Sequence, residues 1–105
     1  MYYEFSLDSA NTGQPYILSI SATQGTQLTG EITLNGRVVK EFKDNQAEIN
    51  ISPLLSKGRQ TIKISGSYQP AHSSFQVKFS GPGTQVIQQT SGNGILNQTL
   101  IINVQ

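Results

Sequence analysis

The chain has 105 residues, enough for one domain, since domains mostly contain about 100–150 residues. Its formal net charge is +1 and only 12% of its residues are charged, about half of the roughly 25% usual in soluble proteins. This balance excludes the clustered basic face that duplex nucleic acid requires, and no apolar run approaches the roughly 18 residues that span a bilayer. Cysteine is absent, which excludes disulfides, thiolate nucleophiles and cysteine zinc ligands.

Apolar residues recur at every second position along most of the chain, which is the period of a β-strand with one buried face. In chain order the apolar sets are Tyr3, Phe5 and Leu7; Tyr16, Leu18, Ile20 and Ala22; Leu28, Gly30, Ile32 and Leu34; Ala47, Ile49 and Ile51; Ile62, Ile64, Gly66 and Tyr68; Phe75, Val77 and Phe79; and Leu100, Ile102 and Val104. With weaker strands after Gly36 and around Val86–Ile87, these sets predict about nine short strands and no amphipathic helix.

Turn residues separate the apolar sets. Asn35-Gly36 is the strongest hairpin signal, because both residues tolerate the positive φ that a two-residue type I′ turn requires. Residues 52–58 predict a short helical turn, from which Leu54 or Leu55 closes one end of the core. The pattern as a whole predicts an all-β fold, a single antiparallel β-sandwich of jelly-roll type over residues 1–105.

The segment AEINISPLLSKGRQTIKI, residues 47–64, carries a family resemblance. Residues 51–55 and Lys57-Gly58 match an I-(T/S)-P-L-L-K-x-G turn, and residues 60–64 match the strand that follows it. This segment resembles the galactose-binding-like jelly rolls, β-sandwich domains found as carbohydrate-binding modules and as accessory domains of glycoside hydrolases. The resemblance implies a jelly-roll β-sandwich with an accessory binding role, and it carries no sugar-contacting residue onto this chain.

His72 is the single histidine, and it lies in a predicted loop after Tyr68. A serine hydrolase would need this imidazole between a nucleophile and an orienting carboxylate. Ser73 and Ser74 follow directly, but neighbours on an extended segment point apart, and no Gly-x-Ser-x-Gly elbow is present. We therefore expect an exposed loop histidine and no enzyme activity, and a small hydrolase using His72 is the last of three functional hypotheses.

The acidic residues show no pattern typical of glycoside hydrolysis or of a metal site. Glycoside hydrolysis needs two carboxyl groups about 5–10 Å apart. Glu4, Glu31 and Glu48 occupy outward strand positions between apolar neighbours, so we expect them to pair with Lys or Arg across strands. Asp8 and Asp44 lie in turns with too few neighbouring oxygen ligands for calcium. The sequence predicts no metal site and no cofactor.

Neutral polar side chains suggest a binding surface, since Ser, Thr, Gln and Asn number 12, 9, 12 and 7. Sugars bind to aromatic rings that cover their apolar faces and to amides and hydroxyls that replace water. Tyr2, Tyr68 and His72 are the ligand-binding candidates, because they lie near strand ends or in loops. The other aromatic residues occupy inward positions, and tryptophan is absent.

Strand pairing with another subunit is a competing interpretation, because few charges are available to protect the strand edges. The last predicted strand, Asn97–Gln105, is apolar, β-branched and uncharged. Either it pairs inside the molecule or it pairs with another subunit, and internal pairing is the favoured alternative.

The sequence therefore favours a non-catalytic accessory binding module, with carbohydrate as the first ligand class. The alternative is a structural or assembly protein that forms homo-oligomers through strand edges or an uncharged sheet face. Expected partners are a carbohydrate or a protein, with neither nucleic acid nor a membrane. Residues 1–5 lack the basic and apolar regions of a signal peptide, so we expect a cytoplasmic protein or a piece of a longer chain.

Overall fold

The computed structural model describes residues 2–8, 10, 13–81, 84–91 and 94–105, and side chains 2, 5, 84, 86 and 88–91 lie outside this description. Within the described part, nine strands and one short 3₁₀ turn follow in chain order. The strands are β1 (Tyr2–Leu7), β2 (Ile17–Ala22), β3 (Gln27–Leu34), β4 (Arg37–Phe42), β5 (Gln46–Asn50), β6 (Gly58–Gln69), β7 (Ser74–Gly81), β8 (Thr84–Ser91) and β9 (Ile95–Val104). The 3₁₀ turn, Ser52–Leu54, lies between β5 and β6.

Two sheets pack face to face as a sandwich, which confirms the predicted all-β fold. The five-stranded sheet has the order β1-β9-β6-β3-β4 and the four-stranded sheet the order β5-β2-β7-β8. The pairings are antiparallel except that β1 runs parallel to β9. The pairs β2–β7 and β3–β6 are nested, so that the chain crosses between the sheets after β2 and again after β6. Jelly rolls wind in this nested manner.

The core consists mainly of side chains that the period-two pattern placed inward, with Phe42 and Leu96 in addition. Its most completely buried members are Tyr16, Leu18, Ile20, Leu28, Ile32, Ile51, Ile62, Phe79, Leu96 and Ile102. They come from both sheets and form one continuous apolar cluster. Burial of this cluster is the main favourable term in folding, because it removes apolar surface from water. The chain contains no cysteine and therefore has no disulfide to add to this term.

The 3₁₀ turn closes one end of the core, as predicted. Of the two leucines that were alternatives for this role, Leu55 packs against the core and Leu54 is exposed. Ile51, just before the turn, is fully buried. The Ser52 hydroxyl accepts the Tyr16 N–H at 2.8 Å and donates to the Gln14 carbonyl, which ties this turn to the start of β2.

The Asn35-Gly36 hairpin is confirmed. Asn35 has a φ of 52° and Gly36 a φ of 86°, the left-handed values that a type I′ turn requires. The last predicted strand, from residue 97 to the chain end, pairs inside the molecule, which was the favoured alternative. It forms part of β9, which lies between β1 and β6 in the five-stranded sheet. Strand β9 pairs with β6 over residues 95–104 and with β1 over residues 99–104, so most of its backbone groups are paired inside the molecule on both sides.

Candidate functional site

The three predicted ligand-binding residues do not form one surface patch. Tyr68 is only 2% exposed, and its ring meets the Phe75 ring edge-on at 5.2 Å between centroids. This corrects the expectation that Tyr68 serves as a binding platform, because its position on the inner face of β6 directs the ring into the core. Tyr2 lies in β1 opposite Thr99, and its side chain lies outside the described residues. His72 is exposed in the β6–β7 turn.

None of the described Phe and Tyr rings is classed as exposed. Five of them are buried: Tyr16, Phe42, Tyr68, Phe75 and Phe79. Tyr16 stacks on Phe79 at 5.7 Å between ring centroids, and Tyr3 is partly buried against the core. Because sugar recognition usually relies on a large ring that water can reach, the described Phe and Tyr side chains lack the main element of a stacking site.

The predicted pairing of outward glutamates with basic residues holds for Glu4. Its carboxylate accepts a bond from Arg59 at 3.0 Å and another from the Asn103 amide at 2.9 Å. In register, Ile101 of β9 lies opposite Glu4, and it is buried although it is not part of the sandwich core. This cluster covers the outer face of the five-stranded sheet between β1 and β6.

For Glu31, the prediction of a Lys or Arg partner across the strands is wrong. In the β3–β4 ladder, Glu31 lies directly opposite Glu41, a like charge, and on the β6 side it lies opposite Ser65. Directly opposed like charges destabilise a sheet. The register places no basic residue directly opposite Glu31 in either ladder.

A groove of ≈ 690 Å³ lies over β3, β4 and β6 and contains this pair of carboxylates. Its polar lining residues are Thr29, Glu31, Glu41, Lys43 and Ser65. The groove thus presents carboxylate, ammonium and hydroxyl groups, all capable of hydrogen bonds to a polar ligand. Gly30 and Gly66 line it as well, and they lie directly opposite each other in the β3–β6 ladder.

The edge of the four-stranded sheet at β8 differs from the other sheet edges. Within the described part of the chain, β8 pairs with β7 alone, so its second edge is open. The remaining edge strands each contain charged residues: Glu4 in β1, Arg37, Lys40 and Glu41 in β4, and Glu48 in β5. The β8 sequence, TQVIQQTS, contains none, and its Ile87 is 48% exposed.

The sequence predicts the strand around Val86–Ile87 but not its position at a sheet edge, since the last strand was the candidate for an uncharged edge. A sequence signal was present, since no charged residue follows Lys78 anywhere in the chain. Of the two strands that form from this uncharged stretch, β9 lies inside a sheet and β8 at an edge. Which of the two lies at an edge depends on sheet order, and residue pattern does not determine sheet order.

Two further observations concern function. Among the described residues, no group of three or more His, Asp or Glu side chains is close enough together to hold a metal ion. The same part of the chain contains no helix with the length and hydrophobicity needed to cross a membrane.

Comparison with protein-family models, curated proteins and solved structures finds no match to this chain. The resemblance of residues 47–64 to galactose-binding-like jelly rolls therefore stays a prediction.

Proposed function

We propose that this chain is a non-catalytic assembly module that associates with copies of itself through the open edge of β8. The single observation that supports this most strongly is the contrast between β8 and the other edge strands. The other three carry charges that oppose pairing with a further strand, whereas β8 is uncharged over all eight of its residues.

The chemistry of an edge strand explains why this contrast matters. On an edge, every second residue directs its backbone N–H and C=O away from the neighbouring strand, where they are free to pair with another chain. Eight residues of β-strand extend about 27 Å, which is enough for several such bonds. Exposed Ile87 adds apolar surface beside these groups, and its removal from water contributes to association.

Substituting Ile87 with lysine tests this proposal. We expect the native chain to reach twice its 11.4 kDa mass as concentration rises in light-scattering measurements. The Ile87→Lys variant should raise the dissociation constant by about 10-fold to 100-fold, which corresponds to about 1.4–2.8 kcal/mol. The physical reason is that apolar contact is lost and two ammonium groups are brought together at the edge.

Val38→Lys is the matched control, because Val38 is 45% exposed on the edge strand β4. This variant should keep the native association, and both variants should keep the native melting temperature because both side chains are already about half in water. A native chain that stays monomeric up to about 1 mM, far above the dissociation constants of specific assemblies, contradicts the proposal. Equal loss of association in both variants also contradicts it.

Carbohydrate binding is the second candidate, and the groove over β3, β4 and β6 is the observation that favours it. Carboxylates and hydroxyls are the groups that replace water around sugar hydroxyls. Glu31 and Glu41 lie side by side in the groove, where both carboxylates can accept hydrogen bonds from the hydroxyls of one sugar. No described aromatic ring supports this candidate, so we place it second.

An NMR titration with a panel of neutral oligosaccharides tests this second candidate. Binding in the groove should shift the amide signals of Thr29–Glu31 and of Ser65, and Glu31→Gln should weaken binding by about 10-fold, because a hydrogen bond to a charged group contributes about 1.5–3 kcal/mol. Glu48→Gln, on the other sheet, is the control and should leave affinity unchanged. Absence of shifts across the panel, or an equal effect of the control, contradicts a sugar site in this groove.

A further inference from the structure

We infer that the occupant of the β8 edge is β8 of a second copy, paired antiparallel about a two-fold axis through Ile87. This inference rests on the proposed function and specifies its geometry. The two four-stranded sheets would then join into one continuous sheet of eight strands. Its order would be β5-β2-β7-β8 in one copy, followed by β8-β7-β2-β5 in the other. The arrangement closes on itself as a dimer.

The period of the strand restricts where the two-fold axis can lie. Residues directly opposite in an antiparallel pair point to the same face, and faces alternate along a strand. A two-fold axis therefore lies midway between a residue and its own copy directly opposite, and it cannot lie level with the space between two successive residues. With the axis at Ile87, that residue lies opposite its own copy, and Gln85 lies opposite Gln89 of the second copy.

Register within the molecule shows why Ile87 suits the axis. In the β7–β8 ladder Ile87 lies opposite Lys78, and on the other side of β7 Lys78 lies opposite Ser19. The isoleucine pair would thus be flanked on each side by the aliphatic stem of a lysine, which can lie along apolar surface while its ammonium group stays in water. An axis at Gln88 instead would place Ile87 opposite an amide and leave the apolar surface unmatched.

Electrostatic repulsion does not oppose this dimer. The charged residues nearest the axis in this row are Lys78 and its copy. They would be separated by three strand spacings, about 14 Å. This distance exceeds the Debye length of about 8 Å at physiological ionic strength, so their repulsion is largely screened.

The alternative partner edge, β5, is less suitable. It has only five residues, and it carries Glu48. It also contacts β4 of the opposite sheet, which restricts the approach of another strand on that side. Pairing of β8 with β5 would be head-to-tail, and unless the rotation closed into a ring it would continue as a filament. The two-fold dimer uses the uncharged edge on both sides.

Single-cysteine variants test the geometry cleanly, because the native chain contains no cysteine. Opposed residues in an antiparallel pair have Cα atoms about 4.5–5.5 Å apart, within the range that a disulfide spans. Under mild oxidation, Ile87→Cys should form a covalent dimer. An equal mixture of Gln85→Cys and Gln89→Cys should cross-link about 10-fold faster than Gln85→Cys alone. In the latter the two cysteines lie four residues apart along the strands, about 14 Å.

Val38→Cys on β4 and Gln46→Cys on β5 are the controls, and neither should cross-link with itself or with Ile87→Cys. Cross-linking of Ile87→Cys with Gln46→Cys, or the fastest reaction for Gln85→Cys alone, overturns the two-fold register while leaving self-association intact. Association without any cross-link at β8 positions overturns the inferred register, and it also contradicts the proposal that the chain associates through the β8 edge. A chain that is monomeric by light scattering overturns both.

Discussion

Replacing Gly66 with alanine should strongly destabilise the native fold. A Cβ at this position would lie 2.1 Å from the Thr29 carbonyl oxygen and 2.6 Å from the Gly30 Cα. Both are backbone atoms of the neighbouring strand β3, so no side chain can rotate to make room. Gly66 also has a φ of 150°, which residues with a Cβ rarely adopt.

The strands β3 and β6 would have to separate to admit the methyl group. These strands are central in the five-stranded sheet, and their ladder runs from Gln27↔Gln69 to Leu34↔Ile62. Separation would break hydrogen bonds on both sides of Gly66 and open the core beneath. We expect a loss of about 4 kcal/mol or more, a large part of the 5–15 kcal/mol by which domains are usually stable. Thermal unfolding followed by circular dichroism should show a midpoint lower by about 15–30 °C.

Three glycine variants distinguish the causes of this loss. Gly30→Ala should have a comparable effect, because its Cβ would lie 2.1 Å from the Ser65 carbonyl oxygen. Gly36→Ala should lose only about 1–2 kcal/mol, since its φ is 86° but no atom lies within 4 Å of the added methyl group. Gly13→Ala should be nearly neutral, since space there is open. If Gly66→Ala melts within a few degrees of Gly13→Ala, the close approach of β3 and β6 is not a requirement of the fold.

These glycines illustrate what the sequence can predict and what it cannot. The period-two pattern placed Gly30 and Gly66 among the inward positions of their strands, and the register pairs them directly. Their mutual contact follows only from the pairing of β3 with β6, two strands that are separated in sequence by two others. Alternation reports which face a residue belongs to, whereas sheet order depends on packing across the whole chain.

Tyr68 and Gln98 show that alternation predicts which side chains are buried, even where residue type suggests an exposed position. The alternation in β6 places Tyr68 with Ile62 and Ile64, and the structure agrees with that pattern rather than with its predicted surface role. In β9 the same alternation places Gln98 on the face of Leu100 and Ile102, and it is indeed buried. Its Oε1 atom has no hydrogen-bond partner among the described residues, a cost that residue type alone does not reveal.

The candidate site was less predictable than the fold for a physical reason. A surface for association is defined by which strands end a sheet and which side chains stay in water, and both are properties of the completed fold. The sequence contained the uncharged stretch after Lys78, but it did not indicate that β8 would become the edge and β9 the interior. The groove likewise depends on the register that places Glu31 opposite Glu41.

Asn35→Ala should lower the free energy of unfolding by about 3 kcal/mol, because Asn35 fixes both the β3–β4 turn and its attachment to β6. Its Oδ1 accepts the Thr61 N–H at 2.8 Å, and its Nδ2 donates to Gln60 Oε1 at 2.9 Å. Gln60 is buried, so loss of the donor leaves an amide oxygen without a partner away from water. Alanine would also be strained at a φ of 52°.

Asn35→Gly separates these two contributions, since glycine adopts a positive φ freely but cannot make the side-chain bonds. Glycine should therefore lose about 2 kcal/mol from the missing hydrogen bonds, and the further loss in alanine, about 1 kcal/mol, measures the strain. Asn45→Ala, at an exposed asparagine in the connection between β4 and β5, is the control and should change stability by less than about 0.5 kcal/mol. Urea unfolding curves for the three variants give these differences directly. If Asn35→Gly and Asn45→Ala unfold at the same urea concentration, the contacts of Asn35 with β6 do not stabilise the sandwich, and the turn alone accounts for the preference for asparagine.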